Sequence, residues 1–189
     1  MAKRSIDVQA EEAKRAAAQQ YPEFLEWLAQ RDSELAAFFT DDVPGMPNDP
    51  WTMDGLRHAE RIVVDKFWAQ DPNDFGGPDR RARFQRFYGE MLVRFLDGRW
   101  VYAACGEDGE FVPVIVADFA TTYWNPATAL SSALDERTGD QTVVIFGRLA
   151  QAHYAWAQYG RKSMEEWEEF SVKNWKEVQA IEDQAPVPT

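Results

Sequence analysis

The hydrophobic period of this chain changes from helix to strand spacing between residues 84 and 119, and that change restricts the fold more than any other stretch. Phe84, Phe87, Tyr88, Met91, Leu92 and Phe95 lie at offsets of 3, 4, 7, 8 and 11 from the first, the rhythm of one buried helical face. Arg83, Arg86, Glu90 and Arg94 fall to the opposite, solvent side, and Gly98 marks the stop, so a helix is expected over about 80–97. RWVYAAC (99–105), GEDGE (106–110) and FVPVIVADF (111–119) then read as strand, turn and strand. Pro113 has no N–H for a ladder, which puts its strand at an edge or a bulge. A two-stranded ribbon is not stable alone, so helices must cover one of its faces. The expected fold class is α+β: a predominantly helical single domain with one β-hairpin, about 99–119, packed against helices.

The remaining elements follow from local signals. Residues 6–20 have high helix propensity but little apolar surface, so a loosely held helix is expected over 1–20. Tyr21-Pro22 interrupts it, and Phe24, Leu28, Leu35 and Phe39 space out a second helix over about 22–39. Thr40 to Thr52 reads as a long loop with three prolines. Leu56, Ala59, Val63 and Phe67 mark a helix over 54–70 with Asp54 as its cap, ended by turn residues at 71–79. Asn125-Pro126 opens a short helix. Another begins at Asp140 or Thr142 and closes at Gly160, although VVIF (143–146) is also compatible with a strand. Ser163 and Glu166 form a capping box for a last helix that places Trp167, Phe170, Trp175 and Val178 broadly on one side. The globular domain is expected over 21–182, with a disordered tail at 183–189.

The chain has 189 residues, 45% of them hydrophobic, with 8 Trp, 12 Phe and 6 Tyr, which is enough for a core without staples. The single cysteine, Cys105, excludes an intramolecular disulfide and points to a reducing compartment. No apolar run approaches the roughly 20 residues of a membrane span, and charges interrupt the start where a signal peptide would be apolar. A cytoplasmic protein is expected. The net charge is −12, and it is sorted: 21–50 holds seven acids and one base, 101–140 seven and one, 163–189 seven and two, while 80–99 holds six bases and two acids. Such a field disfavours nucleic acid and anionic membrane and favours a basic partner protein.

Residues that could carry chemistry mostly have a plainer use. Asp54 and His58, four apart on one helix face, form a pair but not a metal site, since zinc needs three or four ligands. His153 lies within an apolar face, where a buried imidazole bonded to a backbone carbonyl explains it as well as catalysis does. Acidic neighbours make Cys105 a poor nucleophile. Glu165, Glu166, Glu168 and Glu169 occupy a helix N-terminus that negative charge stabilises. Arg86–Glu90 and Glu90–Arg94 have the spacing of ordinary helix-surface pairs, and the arginines of 80–86 are expected to tie down an acidic block of this chain or of a second copy. No phosphate loop, dinucleotide fingerprint, serine elbow or zinc-protease motif is present. No catalytic residue, metal or cofactor is therefore assigned.

From Tyr88 to Leu134, the order YGEMLVRFLDGRW, a hairpin ending in VPVIVADF, then WNPATALSSAL resembles a group of small uncharacterised bacterial helix–hairpin–helix domains. The likeness rests on Gly89, Glu90, Gly98, Trp100, Asn125 and Pro126 and covers about a quarter of the chain. It implies a structural module, some of whose members are regarded as immunity or accessory proteins, and transfers no catalytic residue. Charge and resemblance together lead to an acidic protein-binding domain, an immunity- or antitoxin-like inhibitor of a basic partner. Its contact residues are expected to be the exposed acids Asp41, Asp42, Glu107, Asp108 and Glu110, with Trp51 as an anchor. The alternatives are an enzyme or small-ligand binder with an aromatic-lined pocket near His153 and Trp156, a nucleic-acid mimic, and a self-assembling structural protein.

Overall fold

The computed structural model describes residues 8–67, 77–105, 110–120 and 122–186. In chain order its elements are α1 (Val8–Ala18), α2 (Pro22–Ala29), α3 (Arg31–Ala37), a π-helical turn (Phe38–Asp42), α4 (Met53–Phe67), α5 (Pro78–Phe95), β1 (Arg99–Ala104), β2 (Phe111–Val116), α6 (Pro126–Glu136), α7 (Gln141–Gln158), α8 (Met164–Lys173) and α9 (Trp175–Glu182). The chain is a mostly helical single domain whose antiparallel hairpin packs against helices. The ambiguous VVIF segment is helical, inside α7. Trp68, the turn residues through 76 and the tail from 187 on lie outside the described residues.

Helix α5 is central: every residue from Arg86 to Leu92 is buried, and α3, the π-turn, α6 and both strands contact it. A helix wrapped on all sides has no solvent face in its middle. That corrects the placing of Arg86 and Glu90 at the surface, since they are only 2% and 3% exposed. The Arg86 guanidinium lies 3.9 Å from the centroid of the Trp27 ring, and its Nη1 donates to the Trp27 carbonyl. Burial lowers its pKa to about 10, with Glu34 and Glu90 pulling the other way. Glu90 accepts from Trp100 Nε1 at 2.9 Å, and Arg31 and Arg94 each stand 3.9 Å from its carboxyl oxygens. Gly89 is where the hairpin closes on this helix: a Cβ there would lie 2.0 Å from the Trp100 ring.

The hairpin register runs from Arg99 opposite Val116 to Ala104 opposite Phe111, placing Tyr102 opposite Pro113. The Tyr102 backbone points away from β2, donating to Gln19 Oε1 at 3.0 Å and accepting from Gln19 Nε2 at 2.9 Å. Pro113, directly opposite, therefore also faces outward, where no ladder bond needs a donor. Two residues on, Ile115 exchanges both of its backbone bonds with Trp124 at 2.8 Å, which leads the chain into α6. The Gln19 amide thus covers the open edge of β1. It also anchors the C-terminal end of α1, the helix expected to be loose, where Ala18 is fully buried.

Two helices read as continuous are broken. The one expected over 22–39 becomes α2, α3 and the π-turn. The break at Gln30 (ψ −6°) lets Phe24 stack on Tyr102 of the hairpin, centroids 5.1 Å apart, while Phe38 enters the core against Phe84 and Phe87. The wide turn, closed by Val43 N–H to the Phe38 carbonyl at 2.9 Å, carries Phe38 and Asp42 inward together. The last helix breaks at Asn174, whose side chain bonds the Phe170 carbonyl at 2.9 Å. Trp167 and Val178 stay buried, but Trp175 turns to solvent at 61% exposure. The cap of α4 is Thr52 rather than Asp54, its Oγ1 accepting the Gly55 N–H at 3.1 Å.

Candidate functional site

Helices α5, α6 and α7 enclose a cleft of about 320 Å³. Leu92 of α5, Trp124 and Pro126 at the entry to α6, and Ile145, Phe146 and Leu149 of α7 make its wall largely apolar. Local chemistry sets the α6 side: Asn125 Oδ1 accepts the Ala127 N–H at 2.9 Å, and Pro126 suits the first helical position. The α7 side is held from a distance. The helix was expected to begin at Asp140 or Thr142; it begins at Gln141, and Asp140 before it makes no side-chain cap bond. Glu60 of α4, fully buried, does so instead: its Oε1 accepts the Gln141 N–H at 2.7 Å, and its Oε2 accepts the Thr142 N–H at 2.8 Å and the Thr142 hydroxyl. These are orphan donors at the positive end of a helix dipole, so a carboxylate fits them.

Tyr88 lines the same cleft, is 5% exposed, and its hydroxyl has no hydrogen-bond partner. Thr142 is its neighbour, but the geometry of a bond between them is not met. Burial pushes the Tyr88 phenol well above its ordinary range, the Glu60 charge adds to this, and Thr142 works the other way. The phenol therefore stays neutral and keeps its hydrogen. A buried donor left unpaired costs about 1–3 kcal/mol, a cost that a bound acceptor would remove. Tyr88 reads in the sequence only as one more residue of the α5 apolar rhythm; no local pattern signals its free hydroxyl.

His153 lies one turn beyond Leu149 on α7 and does not line this cleft. Its ring packs against Phe119 and Trp156, centroids 5.4 and 5.6 Å away. Its Nε2 is 3.3 Å from Asp97 Oδ2, an oxygen that also accepts from Arg161 Nη1 at 2.8 Å. A backbone carbonyl was the expected partner, and it is His58 that has one, with Nε2 3.2 Å from the Pro44 oxygen. Asp54, expected beside His58, pairs with Arg57 at 2.6 Å. Burial lowers the His153 pKa, against the opposing pull of Asp97. Burial, rather than the acidic neighbours expected to do so, raises the Cys105 thiol, while a bond to Tyr123 acts in the opposite sense. Trp156 donates its indole N–H to the Lys162 carbonyl at 2.8 Å.

Asp42 was expected to be an exposed contact acid, but it is 1% exposed and internal. It accepts from Arg80 Nε at 2.8 Å and Arg83 Nη1 at 3.1 Å, and its carbonyl takes Lys66 Nζ at 2.8 Å. The basic block of α5 thus ties down an acid of its own chain. Asp41 and Glu110 are exposed, whereas Glu107 and Asp108 lie outside the described residues. Trp51 is half-buried, stacked on Phe87 at 5.6 Å with the Arg94 guanidinium 4.1 Å from its ring centroid. Among the described residues, no three His, Cys, Asp or Glu side chains gather where they could hold a metal, and no helix is long and apolar enough to cross a membrane. Compared with known protein families, curated proteins and solved structures, the chain matches none.

Proposed function

We propose that this protein is a small-ligand-binding domain whose ligand is mostly apolar and presents one hydrogen-bond acceptor to Tyr88. The observation that carries this reading is Tyr88, which lines a largely apolar cleft and whose buried hydroxyl has no partner. The volume of about 320 Å³ lies at the small end of ligand pockets, which run from about 300 to 1,000 Å³. The polar side chains of its wall, Tyr88, Tyr123, Asn125, Thr128, Ser132 and Thr142, include no histidine, lysine or carboxylate, so they offer hydrogen bonds to a ligand and no nucleophile–base pair. Titration with butyrophenone and with butylbenzene, which differ by one carbonyl in place of a methylene, tests it through tryptophan fluorescence. Butyrophenone is expected to bind more tightly, and Tyr88→Phe to erase the difference. Equal binding of the two by the wild-type chain, or saturable binding of neither, rejects the reading.

A second reading, recognition of a basic partner protein in the cytoplasm as an immunity- or antitoxin-like inhibitor, is supported by the elbow between α8 and α9. Val172 and Trp175 are 72% and 61% exposed there, among the exposed acids Glu168, Glu169 and Glu177 and the exposed Lys173 and Lys176, of which Lys173 pairs with Glu169. Asp41 and Glu110 would contribute to the same acidic field. For any basic partner, the association rate should fall with added salt, and Trp175→Ala should speed dissociation. A rate indifferent to salt removes it.

A further inference from the structure

Beside the aromatic cleft lies a second, more open cavity of about 780 Å³, and Tyr123 stands on the walls of both. The second cavity reverses the charge of the molecule. Arg15, Arg99, Arg161 and Lys162 line it against a single acid, Asp118, in a chain with 20 basic and 32 acidic residues. These cations come from three separate places, the end of α1, the start of β1 and the turn between α7 and α8, so no run of sequence announces them. We infer that the ligand is an amphipathic oxyanion, its apolar body in the aromatic cleft and its carboxylate or phosphate head among these cations. This rests on the cleft reading above and adds the chemistry of the head.

The donors needed for such a head are present. Arg99 spends Nη1 on Asp118 and Arg161 spends Nη1 on Asp97, both at 2.8 Å. A guanidinium has five N–H donors in a planar fork, so each keeps donors for an oxyanion. Arg15 is exposed, whereas the Lys162 ammonium sits over the Phe170 ring, 5.4 Å from its centroid, and adds charge rather than a donor. The remote acids do not cancel this local field. At physiological salt, charges are screened over about 8 Å, so cations around the cavity outweigh carboxylates on the far side of the domain. The Arg99 and Arg161 side chains are 61% and 56% exposed, so each attraction is weak and the gain comes from their number.

The test uses the full chain with decanoate, decyl phosphate and decanol, each below its aggregation limit, with tryptophan fluorescence as the readout at low and high salt. The two anions are expected to bind at least about tenfold more tightly than decanol at low salt, with the advantage shrinking at high salt. The ratio of decanoate to decyl phosphate tells which head is preferred. The double variant Arg99→Gln/Arg161→Gln should bring the anions to within about twofold of decanol while leaving decanol binding unchanged, which also reports on its folding. The single variant Arg15→Gln, at an exposed position, should remove a smaller part of the advantage. If wild type binds decanol as tightly as the anions, or the double variant keeps the full anion preference, the inference is overturned and the cleft reading stands. If none of the three binds, the cleft reading falls as well.

Discussion

Arg86 and Tyr88 are two residues apart on α5, about 200° around the helix at roughly 100° per residue, and both are buried. Around Arg86 the fold supplies partners: the Trp27 ring and carbonyl for the guanidinium, Trp100 for Glu90, and Arg80 and Arg83 for Asp42. One atom there, Arg86 Nε, is left unbonded, but the charge it belongs to is spread over a guanidinium lying on an aromatic face. Around Tyr88 the fold supplies a cleft and no partner for the hydroxyl. The difference follows from magnitudes. A buried charge without partners costs more than a domain of ordinary stability can tolerate, so folding itself must close that face. An unpaired hydroxyl costs little enough to survive folding, and is therefore what remains for a ligand.

The largest expected effect comes from Glu60→Ala, which strips three hydrogen bonds from the start of α7 and frees the wall of the cleft. A loss of about 4 kcal/mol is expected, seen as a melting temperature roughly 8–16 °C lower. A variant melting within a few degrees of wild type would show that the cleft does not depend on this anchor. The paired variants Arg86→Met and Tyr88→Phe test the contrast between the two faces directly. Arg86→Met leaves Glu90 short of a buried cation and should cost about 3 kcal/mol in denaturant unfolding. Tyr88→Phe removes an unpaired donor together with its cost and should raise stability by about 1–3 kcal/mol. Equal losses from the two would erase the distinction.

The smallest effect concerns His153. Its pKa in the folded state lies below the ordinary 6.5, because burial outweighs Asp97, so the unfolded chain binds the proton more readily. Its contribution is complete above pH 6.5 and is lost as the pH falls through the lower folded value. Melting temperatures of wild type and His153→Gln should therefore converge as the solution is acidified below the ordinary histidine range. Wild type gaining stability over the variant on acidification would reverse the sign and refute the burial argument.

Much of the architecture was legible because its signals act over a few residues. The period change from α5 to the hairpin, the Asn125-Pro126 start and the Ser163–Glu166 capping box all appear where expected. The aromatic pocket was sought near His153 and Trp156 because a histidine in an apolar face draws attention, and Trp156 lines the second cavity. The cleft opens one turn earlier on the same helix, around residues whose only signal is hydrophobicity. Asp42 looked like a surface acid because nothing within a loop sequence distinguishes an acid facing solvent from one turned inward by a π-turn.

The sequence by itself determined where both strands and most helices begin, though not the breaks at Gln30 and Asn174, and which period each follows, because periodicity, caps and prolines are local constraints on the backbone. Tertiary structure alone decided the rest. Thr142 meets Glu60 across 82 residues, Tyr102 meets Gln19 across 83, and Arg86 meets Trp27 across 59. Bonds over such separations leave no pattern in either segment. The cleft is less legible still, since it is the space that three helices fail to fill, and only their packing shows that Tyr88 on its wall has been left with a buried hydroxyl and no partner.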